Sequence, residues 1–186
     1  MKKIFLSSLI FASTMAFTGI AQARGGGSGI LLDLNLYYGS VKVDDVNSGV
    51  TTHQSDSASA IYDIKLGYLM GEGLYLGGIY TSRSESALNA SGTSGSATGA
   101  SLGYMGSGGF FLMGHYLLSA TEGAYKNGTG LQVDLGYKAG VSSGWLVGGE
   151  LTYRSITYKK NATLSSAFEA REVTEVLPLV SVGYIF

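Results

Sequence analysis

The chain has 186 residues, of which only 13% are charged, and it carries one Pro, 29 Gly and no Cys. The formal net charge of −1 excludes a strongly basic nucleic-acid-binding protein, and the lack of Cys excludes a disulfide scaffold and a thiolate metal site. The hydrophobic content, 45% of the residues, is too high for a disordered chain.

The first 23 residues have the pattern of a secretory signal peptide. Two lysines precede an apolar stretch from Ile4 to Ile20, and Ala21-Gln22-Ala23 supplies the small residues of a cleavage site. We therefore predict that residues 1–23 are removed. This leaves ten basic and thirteen acidic side chains. The Gly-rich residues 24–29 are predicted to form a short leader.

Residues 30–186 contain eight segments in which apolar side chains alternate with other side chains. Successive side chains of a β-strand point to opposite faces, so this period of two predicts strands with one apolar face each. No helical periodicity of comparable strength is present. The apolar faces run over Ile30–Tyr38, Ala60–Met70, Leu74–Tyr80, Thr98–Tyr104, Phe110–Leu118, Leu131–Ala139, Trp145–Tyr153 and Val176–Phe186.

The charged side chains of these segments all lie on the opposite face. Glycines such as Gly67 and Gly77 share that face, which suits a crowded interior. Because acids and bases are nearly balanced there, we expect the charges to pair with one another. The predicted polar network consists of Asp33, Asp63, Lys65, Asp134, Lys138, Glu150 and Arg154, and Arg83, His115 and Glu175 share its face.

The connections between the segments alternate in length. Three are short and Gly-rich, as tight turns require: residues 71–73, 106–109 and 140–144. The alternation places all tight turns at one end and all long loops at the other, which predicts an all-β, eight-stranded, antiparallel up-and-down barrel. The four predicted long loops are Ser40–Ser59, Ser84–Ser96, Ser119–Gly128 and Lys159–Glu172.

Two kinds of barrel share this pattern: a soluble one with its apolar face inward, and a transmembrane one with its apolar face toward lipid. Aromatic residues at both ends of the strands, with an aliphatic belt between them, favour the transmembrane barrel, because aromatic rings prefer the membrane interface. An eight-stranded barrel has an interior that side chains can fill. The predicted girdles consist of Tyr38, Tyr62, Tyr68, Tyr80, Tyr104, Phe110, Tyr116, Tyr137, Trp145, Tyr153, Tyr184 and Phe186.

The signal peptide, the eight segments, the rhythm of the loops and the terminal Phe186 together resemble the small eight-stranded outer-membrane barrels: the OmpX-like family, the OmpA transmembrane domain and the OmpW-like proteins. Tyr184 and Phe186 resemble the C-terminal signal that the barrel-assembly machinery reads. The resemblance implies a bacterial outer membrane, with contacts to membrane lipid and lipopolysaccharide. It also implies that the leader and short turns are periplasmic and the long loops extracellular.

Three functions remain open. Family analogy favours a non-enzymatic surface protein with a side-chain-filled lumen and four exposed loops, for membrane integrity, adhesion or resistance. Loops on a rigid scaffold often carry recognition, so we expect an extracellular ligand there. The alternatives are a narrow channel or porter for ions or small apolar solutes, and a lipid A-modifying enzyme. The enzyme would need a nucleophile and base near its lipid-facing surface, where the segments carry no His or acid.

One constellation has the residue types of a hydrolase. Folding the fourth and fifth segments about the 106–109 turn brings Ser101 opposite His115, and Asp134 on the next segment is within reach. The same residues can form an interior hydrogen-bond network, which is the interpretation we adopt. We expect no enzymatic activity, no cofactor and no metal site.

Pro178 interrupts the last segment, because proline cannot donate to a strand ladder. A closed barrel has no free edge to accommodate it. We therefore expect a bulge at Pro178, or pairing that begins just after it.

Overall fold

The structure is a computed structural model that describes residues 28–41, 44–47, 50–53, 57–87, 90–163 and 170–186. The predicted signal peptide and leader residues 24–27 lie outside the described residues. Within the described ranges, no helix is long and apolar enough to cross a membrane. The strands are β1 (Gly29–Val41), β2 (Asp44–Asn47), β3 (Val50–His53), β4 (Ser57–Leu69), β5 (Leu74–Ala87), β6 (Ala90–Met105), β7 (Phe110–Glu122), β8 (Tyr125–Ser142), β9 (Trp145–Asn161) and β10 (Arg171–Ile185).

Eight of these strands close into one antiparallel barrel, in the order β1-β10-β9-β8-β7-β6-β5-β4, while β2 and β3 pair as a separate hairpin. Apart from the closing pair β1–β10, each barrel strand pairs with the barrel strands that precede and follow it along the chain. Each of the eight predicted segments lies within or largely within a barrel strand. The predicted up-and-down barrel is therefore confirmed.

The apolar faces of the strands point outward and the charged faces point into the barrel. Leu34, Leu66 and Leu135 are 49%, 55% and 58% exposed, whereas Asp33 and Lys65 are fully buried. In a protein surrounded by water, charged residues lie mainly on the exposed surface and are rarely fully buried. The distribution is that of a barrel whose outer wall contacts hydrocarbon.

The three predicted tight turns are present. Gly73, Gly109 and Gly144 have φ angles of +98°, +89° and +78°, which glycine adopts without strain. Each of them also extends the ladder to a neighbouring strand. For example, the Met105 backbone N–H donates to the Gly73 carbonyl oxygen over 2.8 Å. These turns hold the short-turn end of the barrel together.

The long polar stretches differ from the loops predicted for them. Strands β7 and β8 are separated only by a two-residue turn at Gly123, so the prediction of a long loop over residues 119–128 is wrong. Strands β5, β6 and β9 also continue into predicted loops, and β2 and β3 lie within the stretch 40–59. The extensions of β5 and β6 are rich in Ser, Gly and Ala, and that of β9 is Lys-Lys-Asn, so they lack the apolar alternation by which strands are recognised.

A β-bulge in β7 exchanges the two faces of that strand. Between Leu117 and Ala120 the register shifts by one residue against both β6 and β8, and Leu118 and Ser119 are both exposed. An extra residue in one strand reverses the side-chain directions beyond it. Glu122 therefore points into the lumen, where it is only 3% exposed.

Pro178 lies within β10 and pairs with β9 without a bulge. On the other side, the ladder between β10 and β1 begins just after it, at the pair Val180–Leu36. The second predicted alternative is therefore the one that occurs. Hydrogen-bonded pairs alternate along an antiparallel ladder, and the Phe186 N–H donates to the Ile30 carbonyl oxygen. Pro178 lies an even number of residues before Phe186, so its nitrogen points toward β1 as well. The ladder to β1 does not reach Pro178, so no hydrogen bond is lost there.

Glycines make room for large side chains in the narrow lumen. Gly67 and Gly77 pair directly across β4 and β5, and the Tyr75 ring lies over both. A Cβ added at Gly67 would stand 2.7 Å from the Tyr75 ring carbon Cε2. One added at Gly77 would stand 2.5 Å from the Tyr75 hydroxyl oxygen and would also overlap the Leu66 carbonyl oxygen.

We expect Gly77→Ala to destabilise the barrel by about 1–3 kcal/mol, because the added methyl group overpacks the lumen. The next residue, Gly78, faces outward, and an added Cβ there has its nearest contact at 3.4 Å. Gly78→Ala is therefore the matched control, with an expected change within about 0.5 kcal/mol. Urea unfolding in phospholipid vesicles, followed by Trp145 fluorescence, measures both. Equal effects would contradict the steric explanation.

Candidate functional site

The lumen is the candidate site, and side chains fill it in layers. An apolar plug lies at the short-turn end, a network of ion pairs lies above it, and a second group of charges lies toward the opposite end. Further apolar side chains, such as Ile61, Leu117 and Leu177, pack between the charged groups. The plug, in which no side chain is more than 4% exposed, consists of Leu31, Leu69, Tyr75, Met105, Phe111, Met113 and Leu146.

Lys65 is the centre of the ion-pair network. Its Nζ donates to both carboxylate oxygens of Glu150, over 2.7 and 2.9 Å, and lies 2.5 Å from Oδ2 of Asp134. All three side chains are fully buried. A buried charge without a partner costs several kcal/mol, so each of these groups depends on the others.

Arg154 forms a second centre beside it. Its Nη2 lies 2.9 Å from both carboxylate oxygens of Asp63, and its Nε donates to Oε1 of Gln132 over 2.7 Å. The Thr81 hydroxyl also donates to Asp63, over 2.7 Å. This hydrogen bonding compensates for the removal of both charges from water.

The third centre is the buried ion pair between Lys138 and Asp33. The Ser181 hydroxyl donates to the other oxygen of Asp33 over 2.9 Å, and Nζ of Lys138 lies 4.6 Å from the centre of the Phe111 ring. The structure therefore brings the whole predicted network into the lumen: Asp33, Asp63, Lys65, Asp134, Lys138, Glu150 and Arg154.

Ser101, His115 and Asp134 also come together. Ser101 pairs opposite His115 in the ladder, its Oγ is 2.7 Å from Nδ1 of His115, and Nε2 of His115 is 2.8 Å from Oδ2 of Asp134. No more than 2% of any of the three residues is exposed. Lys65, Gln132 and Thr152 also bind the Asp134 carboxylate. The relay is thus one branch of the larger network.

A second group of charges lies toward the long-loop end. Arg83 forms ion pairs with Glu175 and Glu122, the latter over 3.3 Å, and Arg171 lies 3.6 Å from Glu122. The Tyr158 hydroxyl donates to Glu122 over 3.1 Å. Sequence reasoning missed Glu122 and Arg171, because both fell in stretches predicted as loops. Gln132 was missed because it is uncharged, although it lies two residues from Asp134 and therefore shares the polar face of the strand.

The predicted aromatic girdles lie on the outer wall. Tyr137 and Tyr184 are half-buried, and the others are exposed, up to 79% for Tyr38. At the short-turn end, rings pack edge to face: Tyr184 lies 5.0 Å from Trp145 and 4.7 Å from Phe186, centre to centre. The residues of the predicted assembly signal, Tyr184 and Phe186, are thus part of this girdle.

The two girdles enclose a belt of bilayer dimensions. Along β9, Trp145 belongs to the girdle at the short-turn end, the lower girdle, and Tyr153 to the girdle toward the opposite end, the upper girdle. At the usual rise and tilt of barrel strands, they lie roughly 20 Å apart along the barrel axis. The apolar band of outer-membrane barrels is about 25 Å tall.

No protein-family model and no curated protein sequence matches the chain. Among solved structures, Neisserial surface protein A has 17% identity and a TM-score of 0.53, with 86% of this chain and 99% of that one covered. The outer membrane protein OprG from Pseudomonas aeruginosa has 11% identity and a TM-score of 0.44, with 86% and 96% covered. The outer membrane protein AlkL has 12% identity and a TM-score of 0.43, with 85% and 90% covered. The barrel, its outward apolar belt and the first of these likenesses together show that this chain has the fold of the small eight-stranded outer-membrane barrels.

Proposed function

We propose that the chain is a non-enzymatic surface protein of the bacterial outer membrane, with a closed, side-chain-filled lumen. Its short turns face the periplasm and its longer strand ends and connections face the exterior, where they present an unidentified ligand-binding surface. Phe186 serves as the assembly signal, and lipid and lipopolysaccharide surround the wall. Such a scaffold serves membrane integrity, adhesion or resistance.

The filling of the lumen is the observation that supports this proposal. The apolar plug blocks the short-turn end, and the charges above it are paired within the barrel rather than arranged around a water-filled passage. A cavity beside Arg83 and Tyr158 has a volume of about 20 Å³. Pockets that bind small molecules are typically about 300–1,000 Å³, so this recess is too small to hold a solute. Ion selectivity requires rings of groups around an open path, and this arrangement favours a plug.

The Ser101 relay also supports a structural role. A nucleophile must approach its substrate closely, and Ser101 is 2% exposed within a packed lumen. Asp134 is shared among several hydrogen-bonding partners, so it does not serve His115 alone. The relay satisfies buried polar groups, as folded proteins require.

We expect the purified protein in planar lipid bilayers to give no reproducible single-channel step. Insertion is checked in the same lipid by the shift in gel mobility that heating causes in closed barrels. The matched variant, Lys65→Met, tests whether any current passes through the network. A reproducible step from the inserted wild-type protein would contradict the plug, and a changed conductance in an inserted Lys65→Met variant would favour a narrow channel through the network.

A further inference from the structure

The outer wall changes character above the upper girdle. Below Tyr80 and Tyr153 the outward side chains are mainly aliphatic, but at or above their level β6 to β10 each place a threonine on the outside. We call these five residues the threonine collar. They are exposed or half-buried, and they are Thr98, Thr121, Thr129, Thr157 and Thr174.

The collar forms a continuous patch around more than half of the barrel. Thr129 and Thr157 are direct partners across β8 and β9, and Ser155 and Thr174 are partners across β9 and β10. Thr98 pairs with Tyr80 of the upper girdle. The patch therefore begins where the apolar belt ends, at the level of the polar groups of the membrane.

The collar carries hydroxyl groups but almost no charge. In the described part of this band, the outward charged residues are Glu172 and Lys159, and Glu172 accepts a hydrogen bond from Ser155 over 3.1 Å. Among the described side chains, Thr121 is the one collar residue with a side-chain partner, the Ser96 hydroxyl at 3.4 Å. The other collar hydroxyls keep their donors and acceptors available to the surroundings.

This chemistry matches sugars better than the other layers that border a barrel. Surfaces in bulk water usually mix charges of both signs, and phosphate recognition uses Arg or Lys. A threonine hydroxyl both donates and accepts hydrogen bonds, as sugar hydroxyls do. The exposed lysines of the described wall, Lys159 and Lys160, lie at the end of β9, after the collar residue Thr157.

We propose that the threonine collar binds the sugars that extend beyond the lipid A disaccharide in the outer-leaflet glycolipid whose acyl chains cover the apolar belt. This inference rests on the proposed outer-membrane location and adds a partner surface to it. The bound sugars contact β6 to β10 through hydrogen bonds, without requiring a pocket.

The test replaces all five collar threonines by valine, which keeps the shape and the β-branching but removes each hydroxyl. Thr163→Val is the matched control, because Thr163 is exposed but lies after the end of β9. Each protein is placed in three kinds of phosphatidylcholine vesicle. The first contains no glycolipid, the second contains lipid A, and the third contains lipopolysaccharide with its full sugar chain. The midpoint of heat-induced unfolding is read by gel mobility.

We expect lipopolysaccharide to raise the midpoint of the wild-type protein and of the control by roughly 3 °C above the value with lipid A. The collar variant should show no such difference. Equal midpoints for the wild type with both glycolipids, or a full shift in the collar variant, would overturn the proposal.

If the fivefold variant does not fold, Thr98→Val and Thr157→Val are tested singly, and a full shift in both overturns the proposal. Failure of the wild type to insert into any of the vesicles would instead contradict the proposed function itself. Insertion without a sugar-dependent shift removes only the collar inference.

Discussion

Replacing Lys65 by Met is expected to destabilise the folded barrel by about 3–5 kcal/mol. The substitution removes the positive charge that lies between Glu150 and Asp134, both of which remain buried. Without the ammonium group that contacts both of them, the two buried carboxylates repel each other, and Glu150 loses both of the hydrogen bonds that Lys65 donates to it. This loss is a large fraction of the total free energy of unfolding, which is about 5–15 kcal/mol for folded proteins.

The double variant Lys65→Met/Glu150→Gln separates charge from packing. Removing one carboxylate charge should restore at least about 1 kcal/mol of the loss, because the two sites are in direct contact. Lys160→Met is the matched control, since Lys160 is exposed at the end of β9, and it should change stability by no more than about 0.5 kcal/mol. Urea unfolding in vesicles measures all three. A Lys65→Met variant as stable as the control would refute the role assigned to the network.

Introducing a charged side chain on the outer belt should lower the free energy of unfolding almost as much as removing the Lys65 charge from the lumen. Leu135 is 58% exposed in the middle of the belt, where it pairs with Leu151 and Leu112. Leu135→Lys is expected to cost about 2–4 kcal/mol, because the ammonium group must enter hydrocarbon. On a wall that contacts water, the same substitution would be nearly neutral.

Ser84→Lys supplies the control for this prediction. Ser84 is exposed on the outward face of β5 above Tyr80, and a lysine there should cost at most about 1 kcal/mol. Refolding yield and urea midpoints in phospholipid vesicles report both variants. Comparable costs at residues 84 and 135 would mean that the belt does not lie in lipid.

The sequence predicts those parts of the barrel in which the two faces differ chemically. From Trp145 to Tyr153, every second residue except Gly149 is aliphatic or aromatic, and Glu150 and Thr152 mark the opposite face as polar, so the strand and its outward face follow from a period of two. Beyond Tyr153 both faces become mixed, and the continuation of β9 to Asn161 leaves no such signal. The hairpin at Gly123 was missed for the same reason.

The predicted register was reliable only near tight turns. The 106–109 turn fixes Ser101 opposite His115, which the ladder confirms. The partners of Lys65 were not predictable, because Glu150 lies 85 residues away and their contact depends on the stagger of the closed barrel. The bulge at Leu118 had no recognisable signal either, and it placed Glu122 in the lumen.

The central claim is that the apolar face of the barrel points outward to lipid and the charged face points inward. Nitroxide labels on single cysteines test it most directly, since the chain has no Cys of its own. Labels at Leu34→Cys, Val133→Cys and Leu151→Cys in vesicles should collide with oxygen dissolved in the bilayer and be shielded from a water-soluble nickel chelate. A label at Lys160→Cys should show the reverse. Strong collision of the first three labels with the nickel chelate would contradict a lipid-facing wall around an ionic interior.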